Sequence, residues 1–196
     1  MQDSQATSSV LSDLASGAAE RVREPSLSEQ EVVDLFDQFR DRLFRYVLTF
    51  GLPVEDCEEV IQETFLALFR HLTRGRSRRN LRGWLFRVAH NLALRMRLRA
   101  RRDGHASATK DARVDAREDA AIDPAPDPER QFESAQTRAR LLAVFRALAE
   151  QDRRCLSLRA EGLRYREIAG VLDMSLGSVS VSLARSLARL TRAGER

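Results

Sequence analysis

Asp56, Glu58, Glu59 and Glu63 crowd into one short stretch, with Gln62 among them. Clustered carboxylates have two chemical uses. They can work as an acid–base pair, or they can meet a basic surface. Glu58 and Glu59 are adjacent and point in different directions on a helix, which argues against a catalytic pair. Acids in a first helical turn favour the helix dipole. The five acids from Glu55 to Glu63 exceed what capping needs, so a basic partner surface is expected. A second group has the opposite sign: Arg74, Arg76, Arg78, Arg79, Arg82, Arg87 and Arg95, with Asn80 and Asn91. Guanidinium groups at this density hold phosphates. A third group lies near the end: Arg164, Ser175, Ser178, Ser180, Ser182, Arg185 and Arg189. Serine hydroxyls can meet base edges while the arginines hold phosphates.

All of this is binding chemistry. The sequence has no Gly-rich phosphate loop, no nucleophile elbow and no paired catalytic carboxylates. His71, His90 and His105 are scattered, without Cys or carboxylate at ligand spacing. The expectation is a protein that is not an enzyme, with no metal and no cofactor.

The elements that must position these groups read as helices. Val32, Phe36, Phe39, Leu43, Val47 and Phe50 recur at three- and four-residue steps, and Gly51 and Pro53 end that helix. A second helix is expected over 54–72, burying Val54, Ile61, Phe65, Leu68 and Leu72. Cys57 reads as part of its acidic surface turn. A basic loop follows, and Asn80 can cap a third helix over 81–102. Leu81, Trp84, Leu85, Val88, Leu92 and Met96 form its apolar stripe. The pattern breaks over 103–130, a stretch rich in Pro, Ala and Asp that reads as a linker. Helical periodicity resumes near Gln131, with further helices expected over 152–161 and 165–172. Ser175 caps a last helix reaching about Arg192. Ile168, Ala169 and Leu172 face inward, and the last two segments form a helix-turn-helix. No segment alternates with the period of a strand. The fold class is all-α: two small helical domains joined by a flexible linker. The domains are a mobile tail over 1–27, a module over 28–102, the linker over 103–130 and a second module over 131–196.

The 196 residues carry a formal net charge of only +4, and that figure conceals strong segregation. Residues 1–63 are net −9, residues 64–102 net +12, residues 103–137 net −5 and residues 138–196 net +6. The second block holds twelve arginines and no acid. It cannot neutralise itself, so it should attract nucleic acid. The chain favours arginine, with Lys110 its only lysine, but that preference does not explain the missing acids. No apolar run is long enough for a membrane helix, no secretory signal opens the chain, and two cysteines make no disulfide framework. A soluble protein of a reducing, cytoplasmic compartment is expected.

Three stretches together resemble bacterial RNA polymerase sigma factors of the sigma-70 family, in the compact extracytoplasmic-function group. Asp56 to Phe65 looks like region 2.2, Leu81 to Ala93 like regions 2.3 and 2.4, and Tyr165 to Leu190 like region 4.2. The resemblance covers about residues 30–102 and 132–192. It implies that Asp56, Glu58, Glu59, Gln62 and Glu63 dock on the clamp helices of the polymerase largest subunit. The basic loop would take a flipped promoter base. The helix over 81–102 would melt and read the −10 element through Arg82, Arg87, Asn91 and Arg95, with Trp84 in the core beneath. The helix-turn-helix, about 164–183, would read the −35 element and meet the polymerase flap region. An anti-sigma factor is an expected partner. The family often has Lys or Arg early in the recognition helix, where this chain has Ser180 and Val181. One alternative is an autonomous helix-turn-helix regulator. It predicts specific duplex binding without polymerase, usually at a palindrome. The other, a nucleic-acid enzyme, lacks a catalytic constellation.

Overall fold

The computed structural model describes residues 27–102 and 128–195, and every element among them is helical. The expected tail and most of the expected linker lie outside the described residues.

Three helices form the first module: α1 (Leu27–Leu48), α2 (Val54–Thr73) and α3 (Leu81–Arg102). All three pack on one another. Phe39, Leu43, Tyr46 and Val47 give α1 an apolar face at three- and four-residue spacing, and each is buried. Full burial of one such side chain is worth about 1.5–3 kcal/mol. Phe36 meets Phe65 of α2 edge-on, ring centroids 4.9 Å apart. The buried face of α2 is Cys57, Val60, Ile61, Thr64, Phe65, Leu68 and Leu72. Two expectations are corrected here. Val54 opens the helix at 53% exposure, three residues before the fully buried Cys57. Cys57, expected at the surface, is fully buried with its thiol directed at the Leu52 carbonyl. Three residues separate Cys57 from Val60, which sets both on the inner face.

The inner face of α3 is also displaced from the expected stripe. Gly83, Leu85, Phe86, Ala89, His90 and Ala93 are buried. Leu81, Trp84, Leu92 and Met96 pack against the core while partly exposed. Trp84 therefore lies on the flank of the core rather than beneath the helix.

The second module contains α4 (Pro128–Arg146), α5 (Glu150–Ala160), α6 (Tyr165–Leu172) and α7 (Leu176–Gly194). α4 starts at Pro128, three residues before the expected start at Gln131; proline suits a first helical position. α7 packs on α4, α5 and α6. Gly162 ends α5 at φ +79°, a left-handed conformation that favours glycine. Asp173 turns the chain between α6 and α7 at φ 54°. The Ser175 side chain accepts from the Ser178 N–H, the expected cap of α7. Inside α6 the buried residues are Ile168 and Val171, while Ala169 and Leu172 are partly covered.

The two modules touch. α3 packs on α6, and the buried residues of both modules join one apolar cluster.

Candidate nucleic-acid interface

The acidic face of α2 is built by helical geometry alone. The side that buries Cys57, Val60, Ile61 and Thr64 leaves Glu58, Glu59, Gln62 and Glu63 exposed and Asp56 partly so. Beside it runs a groove of about 250 Å³ lined by Phe36, Arg40, Phe44, Glu58, Ile61 and Gln62. Burial, together with Asp56, Glu55 and Glu58, pushes the Cys57 thiol up to about 12, so it stays protonated at neutral pH. The groove is mixed in character, with Phe36, Phe44 and Ile61 set among Arg40, Glu58 and Gln62.

The basic loop between α2 and α3 is held from several directions. His71 Nε2–H donates to the Ser77 carbonyl at 2.9 Å, and the His71 ring lies 4.6 Å from the Trp84 ring. Arg78 pairs with Glu31 of α1 at 2.8 Å. Asn80 sits in the left-handed region at φ 54°, and its Oδ1 accepts from the Gly83 N–H at 3.2 Å. A Cβ at Gly83 would come within 2.6 Å of the Asn80 amide, so glycine is what lets Asn80 fold over the start of α3. Arg74, Arg76 and Arg79 remain exposed. Asn80 thus serves first as a cap, and Arg78 is engaged within the protein.

Along α3, Arg87, Asn91 and Arg95 lie on one exposed side at four-residue steps. Arg95 Nε donates to the Asn91 carbonyl at 3.3 Å. Arg82 differs. Its Nε and Nη2 both bond the Glu167 carboxylate of α6, at 3.2 and 2.5 Å. Glu167 also accepts from the Arg164 N–H at 2.7 Å, closing a capping box at the start of α6. Burial raises the Glu167 carboxyl, but Arg82 and the Arg164 N–H outweigh it and hold it below the usual carboxylate range.

On the helix-turn-helix, Arg164, Ser175, Ser178, Ser180, Arg185 and Arg189 are exposed. Ser182 is corrected. It is 3% exposed, and its hydroxyl donates to Asp152 Oδ1 at 2.7 Å. Ser182 follows Val179 by three residues and precedes Ser186 by four, so it shares their buried face. Arg185 forks onto the same Asp152 at 2.9 and 2.6 Å. Those Arg185 bonds, with Ser182, hold the Asp152 carboxyl below its usual range.

Sequence reasoning missed the contacts between modules. Arg45 reaches the Glu161 carboxylate at 3.0 Å through both Nε and Nη2. Arg42 bonds the Glu161 carbonyl and carboxylate. Arg97 pairs with Glu150, which also pairs with Arg154. The Arg154 guanidinium lies over the Phe50 ring, 4.7 Å from its centroid. Beneath it the Tyr46 hydroxyl and His90 Nδ1 share a buried hydrogen bond of 2.8 Å. Burial and the nearby Arg154 charge push His90 down to about 4, so it is neutral. Among the described residues no group of His, Cys, Asp and Glu could hold a metal ion. No single described helix is long and apolar enough to cross a membrane.

Comparison with known proteins follows this division. Residues 35–103 match the family model described as Sigma-70 region 2, and residues 138–190 match Sigma-70, region 4. No curated protein matches the sequence. The chain is similar to CnrH, solved in complex with the cytosolic domain of CnrY. The two are 21% identical over 83% of this chain and 86% of that one, at a TM-score of 0.54. It is similar also to the sigma factor RpoE from Bartonella quintana, solved with the anti-sigma factor NepR. There the figures are 19% identity, 82% of this chain, 96% of that one and a TM-score of 0.53. At such identities the likeness is one of fold.

Proposed function

The chain belongs to the sigma-70 family of RNA polymerase initiation factors, and from that membership we propose how its surfaces divide the work. The acidic face of α2 docks on a basic helical surface of core polymerase. Region 2 then opens the −10 element, and the α6–α7 helix-turn-helix reads the −35 element as duplex. The observation that carries this reading is the order of charge on one continuous bundle. An exposed carboxylate row on α2 is followed at once by an acid-free arginine segment on the loop and α3.

Each step has a physical rationale. Opening a duplex costs a few kcal/mol per unstacked base, which capture of the extruded base offsets. The loop pinned by His71, Arg78 and Asn80 is preorganised for such capture, so little ordering entropy is lost on binding. Arg87, Asn91 and Arg95 lie where a single strand could run along α3. In region 4, Ser178 and Ser180 stand at the exposed start of α7 and Arg189 is exposed further along it for a phosphate, while Arg185 is forked onto Asp152. The acidic linker suits a basic channel of the polymerase. CnrH and RpoE were solved with protein partners, in RpoE an anti-sigma factor. A similar inhibitory partner, covering region 2 and region 4, is proposed for this chain.

Gel filtration and band-shift assays test the proposal. The chain should co-elute with core polymerase, and the mixture should bind promoter fragments that neither component binds alone. Specific duplex binding by the isolated chain, unaffected by core, would instead identify an autonomous regulator.

A further inference from the structure

α7 turns Val179, Ser182, Leu183 and Ser186 inward. At 3.6 residues per turn, Val181 then points away from that buried face. It is 62% exposed, the most open of the large apolar side chains among the described residues. Gly177 and Ala184, one turn before and after on the same side, are exposed and short. So open a valine adds little to the core. It stands on the half of a recognition helix that meets base edges.

Few side-chain types discriminate bases in the major groove. Arg or Lys takes guanine, Asn or Gln takes adenine, and Asp or Glu takes cytosine. None of these six types occurs from Met174 to Ala184, in a chain that is 32% charged. Arg185, the first guanidinium of α7, spends Nε and Nη2 on Asp152. The Ser178 hydroxyl lies 2.9 Å from Ser175 Oγ, within the cap of the helix. Ser180 offers an exposed hydroxyl, which serves a donor or an acceptor alike. The side chain left with a preference is Val181. Its chemical counterpart is the C5 methyl of thymine, the apolar group on a major-groove edge.

We propose that Val181 is a specificity-determining residue of region 4 and selects thymine in the upstream promoter element through the thymine methyl. The inference rests on the proposed function and gives the −35 contact its base preference. A cytosine at the same place presents an N4 amino donor, and a purine presents N7. Covering either with valine leaves a polar group unpaired. Discrimination therefore has an attractive and a repulsive part. Arg189, exposed further along α7, holds phosphate and adds affinity without sequence information.

The test uses the full chain with core polymerase and a pool of duplexes randomised along their length. Core-dependent enrichment followed by footprinting locates the upstream contact, which should hold a thymine common to the enriched sequences. Replacing that thymine by deoxyuridine removes only the methyl. Affinity should fall about fourfold, the worth of one covered methyl. The same replacement outside the footprint is the control and should change nothing. Val181→Ser should bind the thymine and deoxyuridine duplexes equally, with circular dichroism unchanged because the side chain is exposed. An upstream contact without a preferred thymine, or undiminished affinity for the deoxyuridine duplex, would overturn the proposal. So would a thymine preference that survives in Val181→Ser, since another side chain would then read the methyl. No core-dependent enrichment at all would overturn the proposed function and this reading with it, so the two failures are told apart.

Discussion

Asp152 shows how much one side chain can organise. It is 3% exposed and accepts from Ser182 on one oxygen and from Arg185 on both. Arg185 is half exposed, so the charge pair is screened and contributes little alone. The desolvated Ser182 hydroxyl matters more, because truncation leaves it unpaired. Asp152→Ala should cost about 2 kcal/mol in urea unfolding, and a change below measurement error would contradict this account. His90 makes a second claim at this scale. Its ordinary value is about 6.5, and in the fold it lies at about 4. Between those values the unfolded chain binds more protons, so stability rises with pH. The protein should lose stability as pH falls from about 6.5 toward about 4. His90→Asn should lose less over the same window, and an equal loss would show that His90 is not the group responsible. Legibility was uneven here. The acids of α2 were readable because a helical face needs only local spacing. Ser182 was misread although its spacing from Val179 already sets it on the buried face; what local spacing hides is its partner Asp152, thirty residues earlier.

At the scale of elements, α2 and α3 carry opposite charge on one bundle. Asp56→Ala with Glu59→Ala should weaken core polymerase binding about tenfold, or about 1.4 kcal/mol. Both side chains lie off the buried face, so circular dichroism should be unchanged. Wild-type affinity in this variant would remove α2 as the docking face. Arg87→Ala with Asn91→Ala should reduce permanganate-detected promoter opening while leaving core affinity within about twofold. A parallel loss of both would mean that α3 supports docking rather than opening. The helices were legible from periodicity, and the turn residues Gly51, Asn80 and Ser175 marked their ends. The inner face of α3 was harder. Phe86, Ala89, His90 and Ala93 are buried because α1 and α2 both cover that side and α6 closes another edge. A stripe predicted for one contact surface is too narrow for a helix with three neighbours.

For the whole molecule, charge order was the most legible property and module arrangement the least. Blocks of −9, +12, −5 and +6 are counted directly from the sequence. Nothing local joins Arg82 to Glu167 or Arg45 to Glu161, which are 85 and 116 residues apart. Periodicity finds the face of each helix but is blind to which faces meet across a long connection. The central claim is that these surfaces together make an initiation factor. Run-off transcription with purified core polymerase, the full chain and fragments of the source genome tests it most directly. The account predicts discrete transcripts that need both core and this chain, and that fall sharply with Asp56→Ala and Glu59→Ala. No chain-dependent transcript from any fragment, with core shown active alongside another sigma factor, would contradict it.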